Sequence, residues 1–237
     1  MNRFVRCVLP LAFTGIAATP AEANEADCYN QNIRPDAGIA ACSEVIASGK
    51  GGAIDQAHAL GSRGYHFRQN REYDRAIDDV TAAIRIAPSE ALLYLERAES
   101  FAFKGQWDRA IADFNEAIKL DPRCANCFND RGMAFLLTGA VAKAHADFTE
   151  AIRLNPKFSE AYTNRGRAYA TVHQFDDAIG DHDEAIKLNA KRPIAYTYRG
   201  LAYEAQGDRE RALADFERAL AINPKQQEAL AGRERLR

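Results

Sequence analysis

One unit of 34 residues recurs five times without a gap, and this period constrains the chain more than any other feature. In the copy at 193–226 a first segment carries Tyr196, Gly200 and Tyr203. A second carries Ala212, Phe216 and Ala219, and Pro224 follows. The same order returns at 57–90, 91–124, 125–158 and 159–192. A period of this length encodes one supersecondary unit that cannot bury its apolar face alone, so copies must stack into a solenoid.

The residues explain the unit physically. Position eight is Gly64, Gly132, Gly166 or Gly200, and positions twenty and twenty-seven are Ala in all five copies. Small side chains let two helices cross at the short end of the usual range of about 8–10 Å. Ile84, Ile118, Ile152, Ile186 and Leu220 recur beside them as filling. A Pro then ends the second helix, because it donates no backbone bond and crowds the preceding turn. Ala98 replaces the Gly and Ala190 the Pro; His182 stands in an aromatic place and His145 in an Ile place. Both histidines are expected to fill core with a satisfied hydrogen bond.

Position seven is Arg in every copy (Arg63, Arg97, Arg131, Arg165, Arg199), and position twenty-three is Asp (Asp79, Asp113, Asp147, Asp181, Asp215). If positions eight and twenty face each other across an antiparallel hairpin, seven and twenty-three are neighbours. The expectation is a ladder of exposed Arg–Asp pairs between helices, each worth roughly 0.2–1 kcal/mol. The other reading, an arginine row for an anionic ligand, is disfavoured because an Asp accompanies every Arg.

The order aromatic, Gly, aromatic, Ala, aromatic, Ala, Pro resembles the tetratricopeptide repeat, over 170 contiguous residues. The resemblance implies an all-α, right-handed superhelical solenoid of antiparallel helix pairs. It also implies that first helices line a concave groove for peptide or protein segments. Carried over by repeat position, the groove residues are Tyr65, Arg68, Leu92, Leu95, Glu99, Phe103, Asn126, Asn129, Met133, Leu136, Leu137, Arg167 and Leu201. Phe103, Met133, Leu136 and Leu137 are apolar where a free solenoid should be polar. They form either an exposed patch of the kind that marks partner sites or packing between neighbouring repeats. The family's basic clamp for a C-terminal carboxylate has only Asn129, Asn164 and Arg167 as echoes here, without its Lys, so that specificity is not carried over.

At the chain's start, two Arg precede a short apolar run, and Ala21-Glu22-Ala23 offers small residues for cleavage before Asn24. This pattern predicts a signal peptide over 1–23 and export, with the periplasm the expected compartment or secretion the alternative. No apolar stretch reaches membrane-spanning length. The formal net charge of −2 carries no nucleic-acid footprint.

Without Cys7 four cysteines remain, allowing three connectivities. Ile39, Ser43, Glu44 and Ile46 echo a second helix, which puts Cys42 in the aromatic place. Segment 24–52 then reads as a degenerate cap repeat in which Cys28 can meet Cys42. A bridge closing a loop of about 15 residues stabilises by roughly 3 kcal/mol. Residues 48–55, with three Gly, read as a linker, and 227–237 as a C-terminal capping helix.

Only Cys124-Ala125-Asn126-Cys127 suggests chemistry. At a helix start such a pair is a redox dithiol, a structural disulfide or two free thiols. No βαβ context supports the first, and no nearby ligand pair supports zinc. There is no phosphate loop, nucleophile elbow or metal-binding His spacing. The reading is a non-catalytic adaptor without cofactor or metal. The alternatives are a thiol–disulfide redox protein using Cys124 and Cys127, and a self-assembling envelope component.

Overall fold

The computed structural model describes residues 25–237. The expected signal peptide, with Cys7, lies outside the described residues. A helical turn at 25–28 precedes α1 (Pro35–Ser48). Five hairpins follow: α2 (Ala53–Gln69) with α3 (Tyr73–Ile86), α4 (Ala91–Phe103) with α5 (Trp107–Leu120), and α6 (Ala125–Leu137) with α7 (Val141–Leu154). The last two are α8 (Ser159–Thr171) with α9 (Phe175–Leu188) and α10 (Pro193–Ala205) with α11 (Arg209–Ile222), before α12 (Gln227–Arg235). No strand occurs among the described residues. The helices divide between Leu120 and Asp121 into two compact units.

The expected linker is shorter than 48–55. Gly49, left-handed at φ 60°, ends α1, and α2 already begins at Ala53. The Gly52 N–H donates to Asp55 Oδ2 at 2.7 Å. An acid at the third helical position satisfies an end donor and complements the helix dipole, so the helix extends back to it.

Between paired helices the chain turns through a left-handed residue at position fifteen. Gly105, Gly139 and Gly207 have φ of 70°, 82° and 81°, but Arg71 and His173 occupy the same place at 64° and 61°. The left-handed region costs a side chain roughly 1–2 kcal/mol. His173→Gly is therefore expected to stabilise the second unit by about 1 kcal/mol, read as a higher urea midpoint; an unchanged or lower midpoint would show the turn to be unstrained.

Where position eight is Gly, the helix crossing leaves no spare space. A Cβ on Gly132 would lie 2.7 Å from the Phe148 ring, and one on Gly166 2.7 Å from the His182 ring. Ala144, Ala151, Phe148, Ala178, Ala212 and Phe216 are fully buried around these crossings.

The Arg–Asp ladder lies inside each repeat, and every pair is bidentate. Nε and Nη2 donate to the two carboxylate oxygens at 2.6 and 2.9 Å for Arg63–Asp79 and at 2.7 and 2.8 Å for Arg97–Asp113. The Arg131, Arg165 and Arg199 pairs span 2.7–2.8 Å. These pairs are not the exposed ones expected: Asp113, Asp147, Asp181 and Asp215 are buried. The bonds to Asp raise the affinity of Arg63, Arg97, Arg165 and Arg199 for their proton. In every repeat but the first, where Leu60 stands at position four, aromatic rings at positions four and eleven flank the cation, as Tyr162 and Tyr169 do Arg165 at 5.7 and 6.0 Å. Nη1 reaches back to the preceding second helix: Arg63 to Ser43, Arg97 to Thr81, Arg165 to Thr149 and Arg199 to Asp183.

In the first unit, Cys28 and Cys42 are fully buried with their sulfurs bonded and Cα atoms 4.5 Å apart. The His66 ring, one per cent exposed, donates from Nε2 to the Cys28 carbonyl at 3.1 Å. It also lies flat against Gly38, where any Cβ would meet the ring at 2.3 Å. In the second unit, α12 covers Phe216 with Gly232, and Arg235 forms a bidentate pair with Glu204.

Candidate partner-binding face

Within each unit the first helices of successive repeats adjoin, α2 beside α4 and α6, α8, α10 and α12 in a row. Which of their positions stay open decides what the face can do. Position five does not: Gly61, Leu95, Asn129, Thr163 and Thr197 are all buried. This corrects the expectation for Leu95 and Asn129. The fifth position points at the neighbouring first helix, so it holds small or uncharged residues and is sealed by stacking. Asn129 instead accepts from Asn164 Nδ2 at 2.9 Å, a buried amide pair joining two repeats.

Arg68 is also buried rather than open. Its Nη2 lies 2.7 Å from both Glu96 and Glu99, and the Tyr65 ring covers the guanidinium at 5.2 Å. Burial alone would weaken its hold on the proton; the two carboxylates more than reverse this, so the cation is held strongly. Arg68, Glu96 and Glu99 thus tie α2 to α4, and half-buried Tyr65 borders them.

Phe103 is 62% exposed, but its ring stacks on Tyr73 at 5.5 Å with the planes 2° apart. It therefore faces the start of the preceding second helix rather than the row of first helices. Leu136 is half-buried against Ala144, Phe148 and Ala168, as is Met133. Leu92 and Leu137 remain open, 51% and 53% exposed. Asn126, Arg167 and Leu201 are half-buried. Of the four residues read as either patch or packing, Phe103 and Leu137 stay exposed, while Met133 and Leu136 are half-buried against the core.

Cys124 and Cys127 stand at the start of α6 with sulfurs 2.03 Å apart, and the Cys127 N–H donates to Cys124 Sγ at 3.1 Å. Cys127 is one per cent exposed and Cys124 half-buried, so an incoming thiol has no path to the Cys127 sulfur and meets only that of Cys124. The redox alternative gains no support from this geometry. Among the described residues no group of three His, Cys, Asp or Glu is placed to hold a metal ion, and no helix is long and apolar enough to cross a membrane.

The two exceptional histidines do not behave as expected. His182 is fully buried, yet neither ring nitrogen has a partner; His145 Nε2 is buried and unpartnered as well. Burial, with Arg199 and Arg167 nearby, pushes His182 down to about 3. His145 meets the Tyr169 ring edge-on at 4.8 Å and borders a shallow cleft of about 440 Å³ with Val141, Ala142 and Val172. At the equivalent place other repeats carry a polar tether: Asp74 to Lys104 and Asp176 to Gln206.

Stacked antiparallel helix pairs of fixed period, crossing on small residues and stapled by a repeated ion pair, define a helical-repeat scaffold. The tetratricopeptide repeat models match residues 95–157, 148–180 and 193–226, and the chain belongs to the tetratricopeptide repeat family. Solved structures agree on the fold. PilF of Pseudomonas aeruginosa superposes with a TM-score of 0.70 at 19% identity, over 78% of this chain and 85% of its own. TTC0263, a TPR protein of Thermus thermophilus, gives 0.65 at 19%, over 76% and 98%. YrrB, described as a TPR protein with an unusual peptide-binding site, gives 0.60 at 20%, over 81% and 97%. No curated protein matches the chain in sequence.

Proposed function

We propose that this chain is an exported, non-catalytic adaptor that binds a peptide or protein segment along the first helices of its repeats. The observation that carries this is on α6, where Leu137 is left 53% exposed beside half-buried Met133. Apolar side chains on the surface of a helical scaffold cost solubility unless a partner covers them, and Met adapts to varied surfaces. The family's scaffold supports the reading, as does the peptide-binding site described for the similarly folded YrrB. Two cysteine pairs in bonded geometry suit an oxidising compartment and so an exported chain.

The test is a crosslinked capture from envelope extract, with the chain from Asn24 onward beside Met133→Glu/Leu137→Glu. Partners held by the native chain and lost by a variant with native helical content are the expected result. Identical partners from both chains would move the site off α6.

A further inference from the structure

Within the repeats of the second unit, the half-buried arginines other than Arg167 are matched to acids; half-buried Arg233 lies beyond them on the capping helix α12. Arg131, Arg165 and Arg199 hold their ladder aspartates, and the acids of the first helices are taken as well, Glu160 by Arg192 and Glu204 by Arg235. Arg167 is different. It is half-buried in the middle of the row, on α8, with no carboxylate within ion-pair distance among the described residues. Its Nη1 donates to the Met133 sulfur of α6 at 3.5 Å, a weak acceptor, and its guanidinium lies 4.7 Å over the Tyr198 ring of α10. Three helices thus hold the cation in place without neutralising it. At the same register, one repeat to either side, stand the apolar Met133 and Leu201.

We propose that Arg167 is the anchor for an acidic side chain of the bound segment, flanked in that segment by apolar residues that meet Met133 and Leu201. This deepens the adaptor reading and rests on it. The argument is charge complementarity. A guanidinium fixed on an aromatic ring presents its remaining donors in a fork that matches a carboxylate, and little order remains to be lost when one binds. The apolar flanks lower the local dielectric and so strengthen that pair. The buried Arg68 of the first unit illustrates the neutralised state: it sits under Tyr65 with two glutamates already at 2.7 Å.

The probe is a displayed library of random dodecapeptides selected on the chain from Asn24 onward, with Arg167→Gln, Arg167→Lys and Met133→Glu/Leu137→Glu as comparison proteins. The expected winners carry Asp or Glu between apolar residues. Their affinity falls by roughly tenfold to a hundredfold on Arg167→Gln, the range of a charge-assisted pair, and by less on Arg167→Lys. Thermal unfolding of Arg167→Gln at the native temperature shows that the loss is local. Winners without an acid, or acidic winners that bind Arg167→Gln equally well, overturn the anchor; if they are still lost on Met133→Glu/Leu137→Glu, the adaptor reading survives alone. No enriched peptide at all overturns both.

Discussion

Arg165→Ala is expected to destabilise the second unit by about 3 kcal/mol, several times what an exposed ion pair contributes. The reason lies in what remains: Asp181 stays buried, with two oxygens that had accepted at 2.8 and 2.7 Å. A carboxylate left without partners bears the full cost of its lost hydration. The Asp181→Ala variant strands the guanidinium instead, which is one-fifth exposed and reaches water more easily, so its loss is expected to be smaller. Arg165→Met/Asp181→Leu removes both charges and should recover much of the stability, because apolar pairs replace such bridges at little cost. Urea titration followed by circular dichroism measures all three. A loss below about 0.5 kcal/mol for Arg165→Ala would mark the ladder as a surface ornament.

His182→Phe is expected to act in the opposite direction. The imidazole is buried with both nitrogens unpartnered, and each such group costs about 1–3 kcal/mol. The slot accepts a phenyl ring elsewhere: Phe148 meets Gly132 at the same 2.7 Å approach that His182 makes to Gly166. A gain of about 1–3 kcal/mol at neutral pH follows. The pH dependence is the sharper readout. His182 holds its proton only below about 3 when folded, against an ordinary value of 6.5. Between these values the unfolded chain binds the extra proton, so its contribution is full above 6.5 and is lost as the pH falls, at about 1.4 kcal/mol per pH unit. His182→Phe should flatten this slope. Burial lowers His66 in the first unit too, so part of the native chain's acid sensitivity remains in the variant. Equal slopes for the two proteins between about pH 6 and 4, roughly the middle of that window, would mean that His182 is not the buried base described.

The repeat, its crossings and the Arg–Asp pairing were legible because each recurs and a period averages out local noise. Burial of the pairs was not, since a charge pattern carries no depth. The partner face was only half legible. Positions carried over from the family placed Leu95 and Asn129 in the groove, and stacking of the first helices sealed them. The signal was present: no copy has a charge at position five, where Gly61, Leu95, Asn129, Thr163 and Thr197 stand. Position nine, with Tyr65, Glu99, Met133, Arg167 and Leu201, changes character in every copy, as a surface free to specialise does. The unsatisfied His182 was missed because a polar residue in a core place ordinarily finds a partner. His66 was invisible, because its partner Cys28 lies 38 residues away outside the regular period.

The backward reach of Arg63, Arg97, Arg165 and Arg199 has a consequence for how such chains change over time. Ser43, Thr81, Thr149 and Asp183 differ in chemistry, yet each accepts from the arginine of the next copy. The junction therefore asks of its neighbour only an oxygen at one place, not a particular identity. A gene encoding such an array can duplicate or delete a whole period by unequal recombination, and the new junction is born already compatible. Length becomes a heritable variable separable from foldability, while the face that meets a partner remains free to diverge copy by copy.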